Sequence, residues 1–215
     1  MIKQNLEKIK QQLPSNVQLV VVSKFRPIEQ LKEVYESGER EFAENRVQEM
    51  VTKYEALPKD INWHLIGHLQ TNKVKYIAPF VSLIHSVDSL ELAQEISKQA
   101  LKNNRIIPIL LQVHVAQEDS KFGLKPEMVE TVCKQIIELP NVKIKGVMGM
   151  ATFTEDEILI KKEFRQLKGI FDDLKETNFK NEENFNTVSM GMSGDYKLAV
   201  EEGSTLVRIG SLVFE

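Results

Sequence analysis

Apolar residues arrive along this chain in short dense runs, separated by longer stretches in which apolar and polar positions recur with a helical period. The runs fall at 17–23, 41–44, 62–66, 81–86, 106–115, 142–148, 186–189 and 205–209. Several are apolar at nearly every position, as in Leu19-Val20-Val21-Val22. A strand with one wet face alternates, whereas a strand buried on both faces reads as a continuous run, as in a parallel sheet covered by helices. The stretches between them carry helix punctuation. Residues 27–38 open on Pro27 and close on Gly38, and 126–139 again open on a proline. Residues 88–104 start at Asp88 and stop at an Asn-Asn pair, 155–177 form the longest helical pattern, and 193–202 end before Gly203.

Strands alternating with helices predict a parallel sheet. Eight such units in 215 residues, about 27 residues each, predict an α/β chain folded as one (β/α)8 TIM barrel over 1–215. The alternative is an open doubly wound sheet, but no G-x-G-x-x-G follows the first strand. Neither a full eighth helix nor a C-terminal β domain is expected after the last run. Ile2, Leu6, Ile9 and Leu13 form one stripe, so an N-terminal helix is expected to cover the seam between strands eight and one. The polar stretch 178–184 is expected to be a mobile, solvated connection.

Composition narrows the function classes. The net charge of −3 provides no basic field for nucleic acid or an anionic membrane. The single cysteine, Cys133, cannot form an intramolecular disulfide, which points to a reducing compartment. It sits within the helical pattern of 128–139 and reads as a small buried apolar residue. The polar N-terminus lacks a secretory h-region and no run is long enough to span a bilayer, so the protein is expected to be cytoplasmic.

In a barrel of this kind chemistry sits at the carboxyl ends of the strands. The first strand runs Val20-Val21-Val22-Ser23 and ends in Lys24, just beyond a run of valines. Such a lysine is either an amine that has reached solvent or one held in an apolar site, where its pKa falls and it can attack an aldehyde. Arg208 lies in the last strand, beside the first in a closed barrel, and Gly210 and Ser211 follow it. The seventh strand ends in Ser189, and Met190 leads the loop that follows, whose backbone N–H groups suit a phosphate. A phosphate site and a lysine amine on neighbouring strand ends point to a phosphorylated aldehyde, with pyridoxal 5'-phosphate (PLP) the obvious candidate. Asn45 opens the helix after the second strand, as an N-cap, a ligand, or both. Met148 reads as an apolar wall of the mouth or as core. Gly67 is expected to permit a tight turn. His64 and His68 lack a third ligand for zinc, and His85 and His114 lie inside strands and read as packed.

The segments VVSKFRP, FAENRVQE, WHLIGHLQTNK, GVMGMATF and SMGMSGDYKLAVEEGSTLVRIGS resemble, in that order, the pyridoxal phosphate homeostasis proteins (the YggS/PROSC group). Their barrel is similar to the N-terminal domain of alanine racemase. The resemblance implies a Schiff base on Lys24, a phosphate held by Ser189, Gly210 and Ser211, Arg208 facing the pyridine nitrogen, and Asn45 and Met148 beside the ring. It also implies a role in intracellular PLP homeostasis as a monomer, with PLP-dependent apo-enzymes as recipients. Ala43 and Ser211 stand where the group more often has Gly and Thr. An arginine at the ring nitrogen leaves it unprotonated and weakens the ring as an electron sink. A racemase needs a base on each face of the substrate carbon, and a second one is not evident here, since Tyr196 falls in the helix after strand seven. Binding without turnover is therefore expected, with a PLP-dependent amino-acid racemase as the alternative. A cofactor-free Schiff-base aldolase acting on a sugar phosphate is a third reading.

Overall fold

The fold is a computed structural model that describes residues 1–118 and 122–215. Eight strands among the described residues close into a ring in sequence order. They are β1 (Gln18–Val22), β2 (Glu41–Glu44), β3 (Asn62–Leu65), β4 (Leu83–Val87), β5 (Ile107–Gln112), β6 (Val142–Met148), β7 (Thr187–Ser189) and β8 (Leu206–Ile209). Each pairs in parallel with the next, and β1 pairs with β8 in the register Val20↔Arg208 and Val21↔Ile209. This is the closed barrel the strand rhythm predicts, not the open sheet.

The uniform apolar runs resolve into two packed faces. Val20, Val22, Ala43, Leu110 and Met148 point into the ring. Val21, Phe42, Trp63, Leu65 and Val147 point outward into a larger core shared with the helices. Side chains such as Phe42 and Leu65, fully excluded from water, each contribute about 1.5–3 kcal/mol.

The helices are α1 (Ile2–Gln12), α2 (Ile28–Glu36), α3 (Val47–Ala56), α4 (Val74–Ile77), α5 (Leu90–Lys102), α6 (Val129–Ile137), α7 (Glu157–Thr177), α8 (Tyr196–Glu201) and α9 (Ser211–Phe214). α9 is the single turn that follows β8. α1 covers the seam as expected, burying Ile2, Leu6 and Ile9. Asn5 Nδ2 donates to the Val213 carbonyl at 3.2 Å, and the Tyr196 hydroxyl donates to Gln12 Oε1 at 2.6 Å, so Tyr196 points to α1 and away from the mouth. α5 begins later than its pattern indicates, because Ser89, not Asp88, caps it and accepts from Leu92 N at 3.2 Å.

In the stretch 178–184, residues 180–184 are exposed, as expected of a solvated connection, and Phe179 is the exception. The polar composition of the stretch conceals Phe179, which is buried and stacks on Phe185 at 4.0 Å, with Phe171 on the same ring at 4.8 Å. An aromatic clip anchors this connection to α7, and Lys175 Nζ donates to the Glu182 carbonyl. Cys133 is fully buried in α6 as expected, and burial pushes its thiol up to about 12. No helix of the described residues is long and apolar enough to cross a membrane.

Candidate cofactor site at the carboxyl ends of the strands

The strand ends open into a cleft of about 750 Å³, within the range of small-molecule sites. Lys24 and Arg208 line it together from paired strands, joined by Asn45, Gly210 and Ser211. Lys24 is solvent-exposed, so its amine is not enclosed in an apolar site, and Nζ has no hydrogen-bond or ion-pair partner among the described residues. Of the described lining residues it alone carries a primary amine.

A buried charge cluster fixes the turn that carries Lys24. Lys53 Nζ, from α3, donates to the Ser23 carbonyl at 2.7 Å and to Glu44 Oε1 and Glu49 Oε1, each at 2.6 Å. The Ser23 hydroxyl donates to Glu44 Oε1 at 2.6 Å, and Phe25 N donates to Glu49 Oε1 at 2.7 Å. Both neighbours of Lys24 are thereby held, and Phe25 is pinned in the left-handed region at φ 62°. Burial raises the Glu44 carboxyl, against the opposing pull of Lys53 and Ser23.

Arg208 is 3% exposed. Its Nη1 donates to Ser189 Oγ at 2.5 Å and its Nη2 to the Gly149 carbonyl at 3.1 Å. Burial lowers its pKa to about 10, while Asp195 favours the charged form, so it remains a cation at neutral pH.

Three expected residues lie elsewhere than at the cleft wall. Ser189 is fully buried, with its hydroxyl bonded to Arg208 and, at 2.9 Å, to His85 Nδ1, because a strand-seven residue at this register points into the ring. Met190 is buried in the outer core and its N–H donates to the Leu206 carbonyl at 3.2 Å. Met148 packs in the ring interior beneath the mouth, and Met150, two residues on, lines the cleft. Asn45 does not cap α3, since Arg46 takes that position without a side-chain bond. Gly67 serves close approach more than turning: a Cβ there would lie 2.2 Å from the Asn45 carbonyl oxygen.

The cleft also contains residues that the strand reading passed over. His68 stacks on Phe122 with centroids 4.0 Å apart, forming one wall. Ser193 and Gly194, in the loop after β7, face Ser211 across the opening, and Gly210 N donates to Ser193 Oγ at 3.3 Å. His68, Ser193 and Gly194 lie within five residues of a strand's carboxyl end, which was the available signal, whereas Phe122 lies ten residues beyond β5. His64 and His85 are packed inside the ring with each other at 2.9 Å, and the described residues contain no metal-binding cluster of His, Cys, Asp or Glu.

His85 is fully buried, and burial, with His64 and Arg208 nearby, holds its pKa well below 6.5. The unfolded chain therefore binds a proton below pH 6.5 that the folded chain refuses. Stability is full above that value and should fall by about 1.4 kcal/mol per pH unit beneath it. Urea unfolding at pH 7, 6 and 5 measures this slope, and His85→Gln should flatten it.

Barrel and cleft together define a class. The alanine racemase N-terminal domain family matches residues 1–215. Alanine racemase of Clostridium difficile shares the fold, with a TM-score of 0.82 at 17% identity over 99% of this chain and 55% of that one. More similar is the pyridoxal phosphate homeostasis protein of Aquifex aeolicus, 44% identical over 91% of this chain and 85% of the relative. PipY of Synechococcus elongatus, solved without and with PLP, is 34% identical over the full length of both chains, with TM-scores of 0.95 and 0.90. The chain belongs to the pyridoxal phosphate homeostasis protein family.

Proposed function

We propose that this protein holds PLP as a Schiff base on Lys24 and acts in intracellular PLP homeostasis without catalytic turnover. The observation that carries the reading is the pairing of β1 with β8, which sets Lys24, the one primary amine among the described lining residues, beside Arg208 and the Gly210–Ser211 turn. PipY, of the same length and fold, has been solved with PLP bound.

The residues fit the group. The N–H groups of Ser193, Gly194 and Ser211 have no acceptor among the described residues, and all three line the cleft. Backbone donors grouped at strand ends receive phosphate oxygens well. A Cβ on Gly210 would lie 3.0 Å from the Val22 carbonyl oxygen, so any larger residue would crowd the end of β1. Ser193, Gly194, Gly210 and Ser211 would hold the phosphate, Arg208 the ring nitrogen, and Asn45 an edge of the ring. When bound, PLP supplies an aldehyde carbon. The free Lys24 amine adds to it, a C=N bond forms and one water leaves. The Arg208 guanidinium holds its proton more tightly than a pyridine nitrogen does, so the ring nitrogen would stay neutral and a carbanion beside the imine would be poorly stabilised. The role this supports is that of a cytoplasmic, monomeric carrier that limits free PLP and releases it to PLP-dependent apo-enzymes.

The test is uptake. Purified protein incubated with PLP should gain a visible band at roughly 410–430 nm, the region of a protonated lysine Schiff base. Borohydride should then fix the added mass on the peptide containing Lys24. A protein that stays colourless overturns the reading, and sustained exchange of the α-proton of added amino acids would move it to a racemase.

A further inference from the structure

The ring interior contains a chain of polar side chains that the cleft alone does not require. Glu41 Oε2 lies 2.7 Å from His64 Nε2, His64 Nδ1 lies 2.9 Å from His85 Nε2, and His85 Nδ1 lies 2.9 Å from Ser189 Oγ. Arg208 Nη1 completes it at 2.5 Å from the same Ser189 Oγ. The chain begins at the amino-terminal end of β2, where the Glu41 side chain retains 21% of its exposure. It crosses the interior from β4 to β7 and ends on the guanidinium in the cleft. The other interior side chains near it are apolar, Val20, Leu110 and Met148 among them. The titratable groups facing it are its own members and Asp195, which acts on Arg208 from the loop after β7.

Counting protons gives this chain one direction. A guanidinium only donates, so Ser189 Oγ accepts from Arg208. The Ser189 proton then goes to His85 Nδ1. His85 is left with its proton on Nε2, which it donates to His64 Nδ1. His64 donates from Nε2 to the Glu41 carboxylate, which only accepts. Starting from Glu41 yields the same tautomers, so both ends demand the same arrangement. An additional proton on His64 would reverse it. Both His64 nitrogens would then donate, His85 would change tautomer and donate to Ser189, and the serine proton would lose its acceptor beside Arg208.

We infer that Glu41, His64, His85 and Ser189 are positioning residues for Arg208, forming a one-directional relay that joins the ring-nitrogen contact to a proton site at the opposite end of the barrel. The inference rests on the PLP reading for what Arg208 touches. Burial keeps His85 neutral, as the relay requires. Burial raises the Glu41 carboxyl, and its contacts with His64 and with the Asn62 amide more than offset this, so Glu41 is the anion at the far end.

The experiment has two arms. In the protein without PLP, 15N NMR of labelled histidine at pH 7 should show His64 and His85 both neutral and protonated on Nε2, and a ring protonated on Nδ1 overturns the relay. In the PLP-loaded protein, His64→Phe and the milder, partly exposed Glu41→Leu should move the pH midpoint of the visible band and weaken PLP binding by about tenfold, the size of coupling carried through packed networks. Glu41→Gln, which still accepts from His64 Nε2, should restore affinity while leaving the midpoint displaced. Variants that melt like the wild type and keep its band, midpoint and affinity overturn the inference with the PLP reading intact. A wild type that shows no band overturns both.

Discussion

Lys24→Ala should remain folded, bind PLP on the order of a hundredfold more weakly, and show no visible imine band. The lysine side chain is exposed and makes no bond among the described residues, so its removal leaves neither a cavity nor an orphaned partner. Melting should stay within about 2 °C of the wild type, as for surface substitutions generally. The backbone around position 24 is held by Lys53 and Glu49 through Ser23 and Phe25, so the cleft should keep its shape. Residual affinity should persist, because Arg208 and the N–H groups of the Ser193 and Ser211 turns remain, and charge-assisted hydrogen bonds are the stronger kind. Equilibrium dialysis with PLP measures the affinity and the spectrum measures the imine. A band that survives, or borohydride trapping on another lysine, would move the amine elsewhere.

Lys53→Met should destabilise the fold by about 3–5 kcal/mol, the cost of removing one partner from a buried ion pair. The Glu44 side chain is fully excluded from water and that of Lys53 is 5% exposed, so no water replaces the lost ammonium. Methionine nearly fills the volume, and the loss is therefore electrostatic. Glu44 would take up a proton to avoid an unpaired buried charge. For a chain of this length the melting temperature should drop by roughly 10 °C. Calorimetry measures the drop. A second signature should accompany it, since Ser23 and Phe25 lose their anchors: PLP uptake by Lys24 should slow even well below the melting point. A variant as stable as the wild type would show that the cluster contributes nothing net.

The two variants separate what could be read from the chain from what could not. The ring and the place of Lys24 follow from features that survive in one dimension: runs such as Leu19–Val22, the boundaries at Pro27 and Gly38, and a lysine one serine beyond four apolar residues. The supports of the site depend on which way each residue faces. In a strand buried on both sides, periodicity carries no such information. Ser189 therefore reads as a phosphate ligand when it lies beneath the cleft, and Met148 reads as wall when the wall is Met150. His85 and Ser189 are 104 residues apart, and no local pattern announces that they meet. Glu49 and Lys53 are readable as an i,i+4 pair, but that spacing marks many exposed helix faces, and only burial with Glu44 distinguishes this one. Phe179 was concealed by its polar neighbours.

The pairing of β1 with β8 has a consequence for how the protein comes into being. Lys24 and Arg208, 184 positions apart, become neighbours only when the first strand meets the eighth. Half a barrel offers an amine without its guanidinium and an anion loop without its floor. During synthesis the cleft cannot exist until β8 has emerged, however early the amino-terminal strands have settled. Any small molecule grasped by Lys24 on one side and by the Gly210 turn on the other works as a clasp across that junction. It holds shut the strand pairing of greatest chain separation, which among the strand contacts costs most to form. Loading should therefore slow the parting of the ring itself, so that the protein's persistence in a cell rises and falls with the supply of its ligand.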